Sequence, residues 1–143
     1  MNKKLVKALC VVVGMILIIT GCGNKSEPVA NLTVPEQILE HFKTVVKSDD
    51  SAVIRDELGE LDRLAKDTTL SDEESLFAQY TYNISYGVAQ LMLSEEGFSA
   101  FEFPDIEILC ATVGAIAKNE LEISDIMISE SQNFVQRVEK YLR

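Results

Sequence analysis

The chain has 143 residues, 47% of them apolar, with three prolines and no tryptophan. Its 13 Lys and Arg are outnumbered by 23 Asp and Glu, a net charge of −10. That balance argues against nucleic acid as a partner, because such binding sets cations against phosphates. It also argues against a surface that lies flat on anionic lipid. A basic protein partner, cations or plain solubility are compatible with it.

The chain begins with Lys3, Lys4 and Lys7, runs through an apolar stretch from Ala8 to Ile19, and reaches Ile19-Thr20-Gly21-Cys22. A basic start, an apolar stretch and small residues at a cleavage point make a secretion signal. The stretch is shorter than the about 20 apolar residues a spanning helix needs. With cysteine directly after the small residues, the segment resembles the lipobox of bacterial lipoproteins. The resemblance covers residues 1–22. It implies removal of residues 1–21 as a signal peptide and a diacylglycerol on the sulfur of Cys22, in an anchor of two or three acyl chains of the palmitate kind. The domain would then hang from a bacterial membrane on its extracytoplasmic face. Gly23 follows Cys22 where an aspartate often marks inner-membrane retention, so an outer-membrane destination stays open. The other reading, an uncleaved anchor with Cys22 as a bystander, places the domain on the same side.

Removal of residues 1–21 leaves 122 residues with 10 basic and 23 acidic side chains, a charge of −13. That length suits one small domain. With Cys10 lost and Cys22 lipidated, Cys110 is the one cysteine left, which rules out an intrachain disulfide. Stability then rests on the apolar core. Residues 22–34 are polar with Gly and Pro, a flexible tether reaching about 20 Å. Residues 35–143 form the helical domain.

The expected fold is all-α, a compact bundle of about five helices. Helix one spans Pro35 to Lys47, with Ile38, Phe42, Val45 and Val46 on one side. Ser48-Asp49-Asp50-Ser51 stops it and caps helix two, from Ala52 to Lys66, whose stripe is Ile54, Leu58, Leu61 and Ala65. Ser71 and Glu74 make a capping box for helix three, which runs to about Glu95 with Gly97 as its stop. No charge occurs from Ser75 to Ser94, and apolar residues fall on more than one side, so helix three is central. Phe98, Phe101 and Phe103 lie in a loop before Pro104. Helix four spans Asp105 to Asn119, and Gly87 with Gly114 offers a close crossing of helices three and four. Helix five spans Ser124 to Leu142, with Phe134, Val138, Tyr141 and Leu142 inward.

Few residues suggest chemistry. Cys110, between Leu109 and Ala111, is expected to be a buried protonated thiol. His41 is the one histidine, too few for paired Glu-x-x-His metal motifs, and is expected as a solvated surface residue. The acidic groups Asp49-Asp50, Asp72-Glu73-Glu74 and Glu95-Glu96 lack the spacing of a calcium loop and read as caps. No metal site, cofactor or catalytic residue is implied, and the protein is not read as an enzyme.

Two groups could recognise something. Tyr82, Tyr86 and Gln90 of helix three, with Tyr80 and Asn83, either bond to neighbouring helices or line a ligand cavity or contact surface. Phe98, Phe101 and Phe103 either plug the bundle or form an exposed apolar anchor. The leading expectation is a membrane-anchored, non-enzymatic protein-interaction module with an envelope protein as partner. It would serve as an adaptor, assembly factor or inhibitor. The alternative is a small-ligand-binding helical lipoprotein.

Overall fold

The computed structural model describes residues 31–94 and 105–143. The expected signal segment, Cys22, most of the tether, Glu95-Glu96, Gly97 and the three loop phenylalanines Phe98, Phe101 and Phe103 lie outside the described residues. Within them the chain is all α, with α1 Val34–Lys47, α2 Ser51–Ala65, α3 Asp72–Leu93, α4 Ile106–Ala117 and α5 Asp125–Tyr141. No helix among the described residues is long and apolar enough to cross a membrane.

Each helix starts where a side chain satisfies backbone donors that the helix itself leaves open. At α1 the Glu36 carboxylate accepts from both the N–H and the hydroxyl of Thr33, each at 2.8 Å. This Thr-x-x-Glu spacing is a second capping box that the sequence reading passed over in favour of Pro35. The Asp50 carboxylate accepts from the Ala52 N–H at 2.8 Å and opens α2. At α3 the Ser71 hydroxyl accepts from the Glu74 N–H at 3.2 Å while the Glu74 carboxylate accepts from the Ser71 N–H at 3.0 Å, as the sequence led us to expect. Asp105 and Ser124 do the same for α4 and α5, accepting from the N–H groups of Glu107 and Met127.

The end of α4 is closed by Asn119, which takes a left-handed conformation with φ 58°. The Glu120 N–H then reaches the Ala115 carbonyl at 2.8 Å and the Asn119 N–H reaches that of Ile116 at 3.0 Å. This is a Schellman closure with asparagine in the place glycine usually takes.

Helices α1, α2 and α3 pack mutually, α5 lies on α3, and α4 leans chiefly on α1. One apolar cluster runs through all five, with Phe42 and Val45 of α1, Leu61 of α2, Val88 and Leu91 of α3, Val113 of α4 and Val138 of α5. Fully burying side chains of this size stabilises by about 1.5–3 kcal/mol each. Helix α3 is central, as its uncharged run implies, and Ala78, Thr81, Ser85 and Ala89 are buried beside its larger apolar residues.

One packing expectation fails. A Cβ on Gly87 would run into the Phe134 ring, so Gly87 lets α5 approach α3, while nothing stands within 4 Å of a Cβ on Gly114. The two glycines do not share a crossing, because α4 leans on α1 instead of α3.

Candidate binding surfaces

Helix α3 presents its polar residues on different sides, and each side meets a different neighbour. Tyr82 and Tyr86 are half-buried with their rings 6.0 Å apart and tilted by 35°. Burial, and then the Asp62 carboxylate of α2, raises the Tyr82 phenol above its ordinary value. Gln90 is half-buried two turns further on. On the side toward α5, the Asn83 amide donates to the Ser131 hydroxyl at 3.0 Å, and that hydroxyl donates to the Ile128 carbonyl at 2.7 Å. Thr81 and Ser85 lie one turn apart, fully buried, with hydroxyls that make no hydrogen bond. The sequence reading missed both. Their signal was small polar residues spaced by four in an uncharged helix.

His41 corrects its expectation. It is not a solvated surface side chain: its Nδ1 stands 2.5 Å from a carboxylate oxygen of Glu57, and both side chains are partly covered. The pair joins α1 to α2 across 16 residues of sequence, a contact that local spacing cannot reveal. The hairpin between the two helices creates it. Cys110 departs from expectation too, being half-buried at the margin of the core instead of enclosed by it. Helix α4 covers the bundle on one side, and its outer side stays open, with Ile108 62% exposed. The acidic groups among the described residues serve helix starts, Asp50 at α2 and Glu74 at α3. Among the described residues no three His, Cys, Asp or Glu side chains converge as metal ligands.

Two grooves stand out among the described residues. The first lies over α3 between α4 and α5 and has a volume of about 710 Å³. Its floor holds Tyr80, Ile84, Leu109 and Phe134, and its walls carry Glu130, Arg137 and Lys140. Burial, and then the Glu130 carboxylate, raises the Tyr80 phenol above its ordinary value. The second groove, about 410 Å³, lies at the end of the bundle where α1 and α3 begin and α4 stops. Leu76, Phe77, Ile116 and Ile123 line it with Pro35, and Glu73, Glu74 and Glu122 stand at its lips. Leu121, which also lines it, is 41% exposed, and Ile126, at the start of α5, is 70% exposed.

Tyr82, Tyr86 and Gln90 line neither groove. The sequence reading pointed to the tyrosines of α3, and of these only Tyr80 faces a groove. Of the residues at the second groove, Leu121 and Ile123 belong to a set, with Ile126 and Ile128, that fits no single helical face in the sequence. That misfit was the usable signal, because apolar residues that no helical stripe absorbs are the ones left outside. In comparison with known proteins, the chain matches no protein-family description, no curated protein and no solved structure.

Proposed function

We propose that the protein is a lipid-anchored lipoprotein on the extracytoplasmic face of a bacterial membrane. There it acts as a non-enzymatic interaction module that docks an envelope protein, as an adaptor, assembly factor or inhibitor. The lipobox-like segment at residues 1–22 supports the anchor. The observation that carries the docking is the groove at the α1–α3–α4 end, apolar on its floor, acidic at its lips and lined also by exposed Leu121.

That end is also where the tether joins the domain, since Pro35 lines the groove. A tether of about a dozen residues keeps the groove within roughly 20 Å of the lipid surface. It raises the effective concentration of any membrane-bound partner. The apolar floor suits a partner with an apolar anchor, and the glutamates at the lips select one with positive charge beside that anchor. Charge around an apolar centre favours the right partner and disfavours acidic ones. The partner is therefore an apolar segment flanked by Lys or Arg, carried by a protein of the same membrane.

The test is crosslinking in cells followed by purification of the lipidated protein from gently solubilised membranes. Wild type should bring down one protein in stoichiometric amount, and Leu121→Asp or Glu122→Lys should lose it. A clean protein from wild-type membranes contradicts the docking reading. The anchor has its own test: Cys22→Ala should leave the precursor unprocessed and without lipid mass. Unchanged mass and membrane extraction would contradict the lipobox reading.

A further inference from the structure

The groove between α4 and α5 is separate from the docking end and carries its own signature. Its lining is mostly apolar, with Ile84 from α3, Leu109 from α4 and Met127 and Phe134 from α5, and Ser131, Asn133 and Gln136 of α5 stand among them. Its charges are sorted along α5. Glu130 stands near Met127, and Arg137 and Lys140 stand two to three turns further on. At about 1.5 Å per residue, Glu130 and Lys140 are roughly 15 Å apart. In a chain with 23 acidic and 13 basic residues, two cations at one end of an apolar groove run against the overall charge. The volume of about 710 Å³ falls in the range of small-ligand pockets.

We infer that this groove binds an acyl chain that ends in an anionic head group. The chain lies over Ile84, Leu109 and Phe134 toward Met127, where removal of apolar surface from water favours it. The head lies at Lys140, which offers a charge-assisted hydrogen bond to a carboxylate or phosphate, on the side of the groove where Arg137 adds positive charge. Glu130 at the far end repels an anion and so fixes the direction of the chain. The inference does not depend on the docking reading, since it uses a different groove.

The experiment uses the full chain in phosphatidylcholine nanodiscs, with methionine methyl groups labelled for NMR. Met127 reports the groove, and Met92, half-buried on α3 and lining neither groove, serves as the internal reference. Octanoate should shift Met127 saturably and leave Met92 in place. Octyltrimethylammonium should bind about tenfold more weakly or worse, and Lys140→Glu should weaken octanoate about tenfold, as expected for loss of a charge-assisted contact. Lys140 is exposed, so this change leaves the fold intact. Dihexanoylphosphatidylglycerol separates the sources. Saturation by octanoate assigns the site to a free acid, and saturation by the phosphate lipid alone assigns it to a lipid head group; either supports the proposal. Equal response to the cationic amphiphile, or an octanoate response undiminished in Lys140→Glu, overturns it. A Met127 signal that no amphiphile moves also overturns it and leaves the groove to a polypeptide segment.

Discussion

The two halves of the bundle solve different problems. Helices α1, α2 and α3 pack on one another and enclose Ile38, Phe42, Val45, Ile54 and Leu61 almost completely. Helices α4 and α5 each lean on one partner of that trio, α4 on α1 and α5 on α3, and leave grooves beside them. Among the described residues the most exposed large apolar side chains, Ile108 and Ile126, belong to this second half. The outer side of α2 is instead laced with ion pairs, Arg63 to Glu60 at 2.9 Å and Lys66 to Asp62 at 2.6 Å. The difference separates a scaffold, whose apolar residues are mostly spent on folding with Val53 and Leu93 left exposed, from a margin whose most exposed apolar residues, Ile108 and Ile126, are open to solvent.

The largest effect that would test this division is Phe42→Ala. It should cost about 3–5 kcal/mol, because the side chain is fully buried and the site cannot collapse around its absence. Ile126→Ser on the margin should stay within about 0.5 kcal/mol, as exposed substitutions do. Urea unfolding of the two variants measures the contrast, and similar losses would erase it.

The glycines give the next largest contrast. Gly87→Ala places a methyl group against the Phe134 ring and should cost about 1–3 kcal/mol through overpacking. Gly114→Ala meets open space in a helix interior and should stabilise by up to about 1 kcal/mol. Opposite shifts in melting temperature are expected, and shifts of the same sign would contradict the placement of α4.

Smaller still is the Ser71→Ala change, which removes the cap of the central helix and should cost about 1 kcal/mol. The His41–Glu57 pair tests the α1–α2 contact. A double-mutant cycle with His41→Ala and Glu57→Ala at neutral pH should give a coupling of about 0.2–1 kcal/mol, the range of partly solvated pairs. Zero coupling would mean that the contact does not bind the hairpin.

The smallest effect is a pH dependence of the scaffold. The Thr33 N–H and hydroxyl hold the Glu36 carboxyl below its ordinary value, and the Thr69 hydroxyl and N–H do the same for Asp67. A carboxyl whose folded value is lowered contributes stability above its unfolded value, near pH 4, and loses it as the pH falls through the folded value. Glu36→Gln should therefore flatten the loss of stability below about pH 4 without changing its shape above pH 6. An acid limb identical to wild type would contradict the cap.

Much of the scaffold was legible in sequence because its signals are local. The spacing of Ile38, Phe42, Val45 and Val46 gives the buried face of α1, and Ser71 with Glu74 gives the start of α3. Leu64 was missed on α2 because the buried face is wider than the single stripe through Ile54, Leu58, Leu61 and Ala65: Leu64, one residue and about 100° from Ala65, is buried with Ile54 and Leu61, while Leu58 and Ala65 pack half-buried against the same core. The margin was harder to read because its properties are relational. The uncharged run from Ile108 to Ala117 looks like a buried helix, yet Ile108 faces outward and Cys110 is only half covered, since one neighbour covers one side. The pairing of His41 with Glu57, of Asn83 with Ser131 and of Gly87 with Phe134 depends on how helices distant in sequence meet. No period within a single helix encodes those meetings.

The central claim is that the α4–α5 margin and the adjoining end of the bundle are the working side, and that the outer side of α2 is not. Photocrosslinking in cells tests it directly, with a benzoylphenylalanine placed at Leu121 in one strain and at Arg55 in another. Both positions are exposed and neither supports the core. The account predicts a discrete crosslinked species from Leu121 and none from Arg55. Equal yields from the two positions, or a species from Arg55 alone, would contradict it.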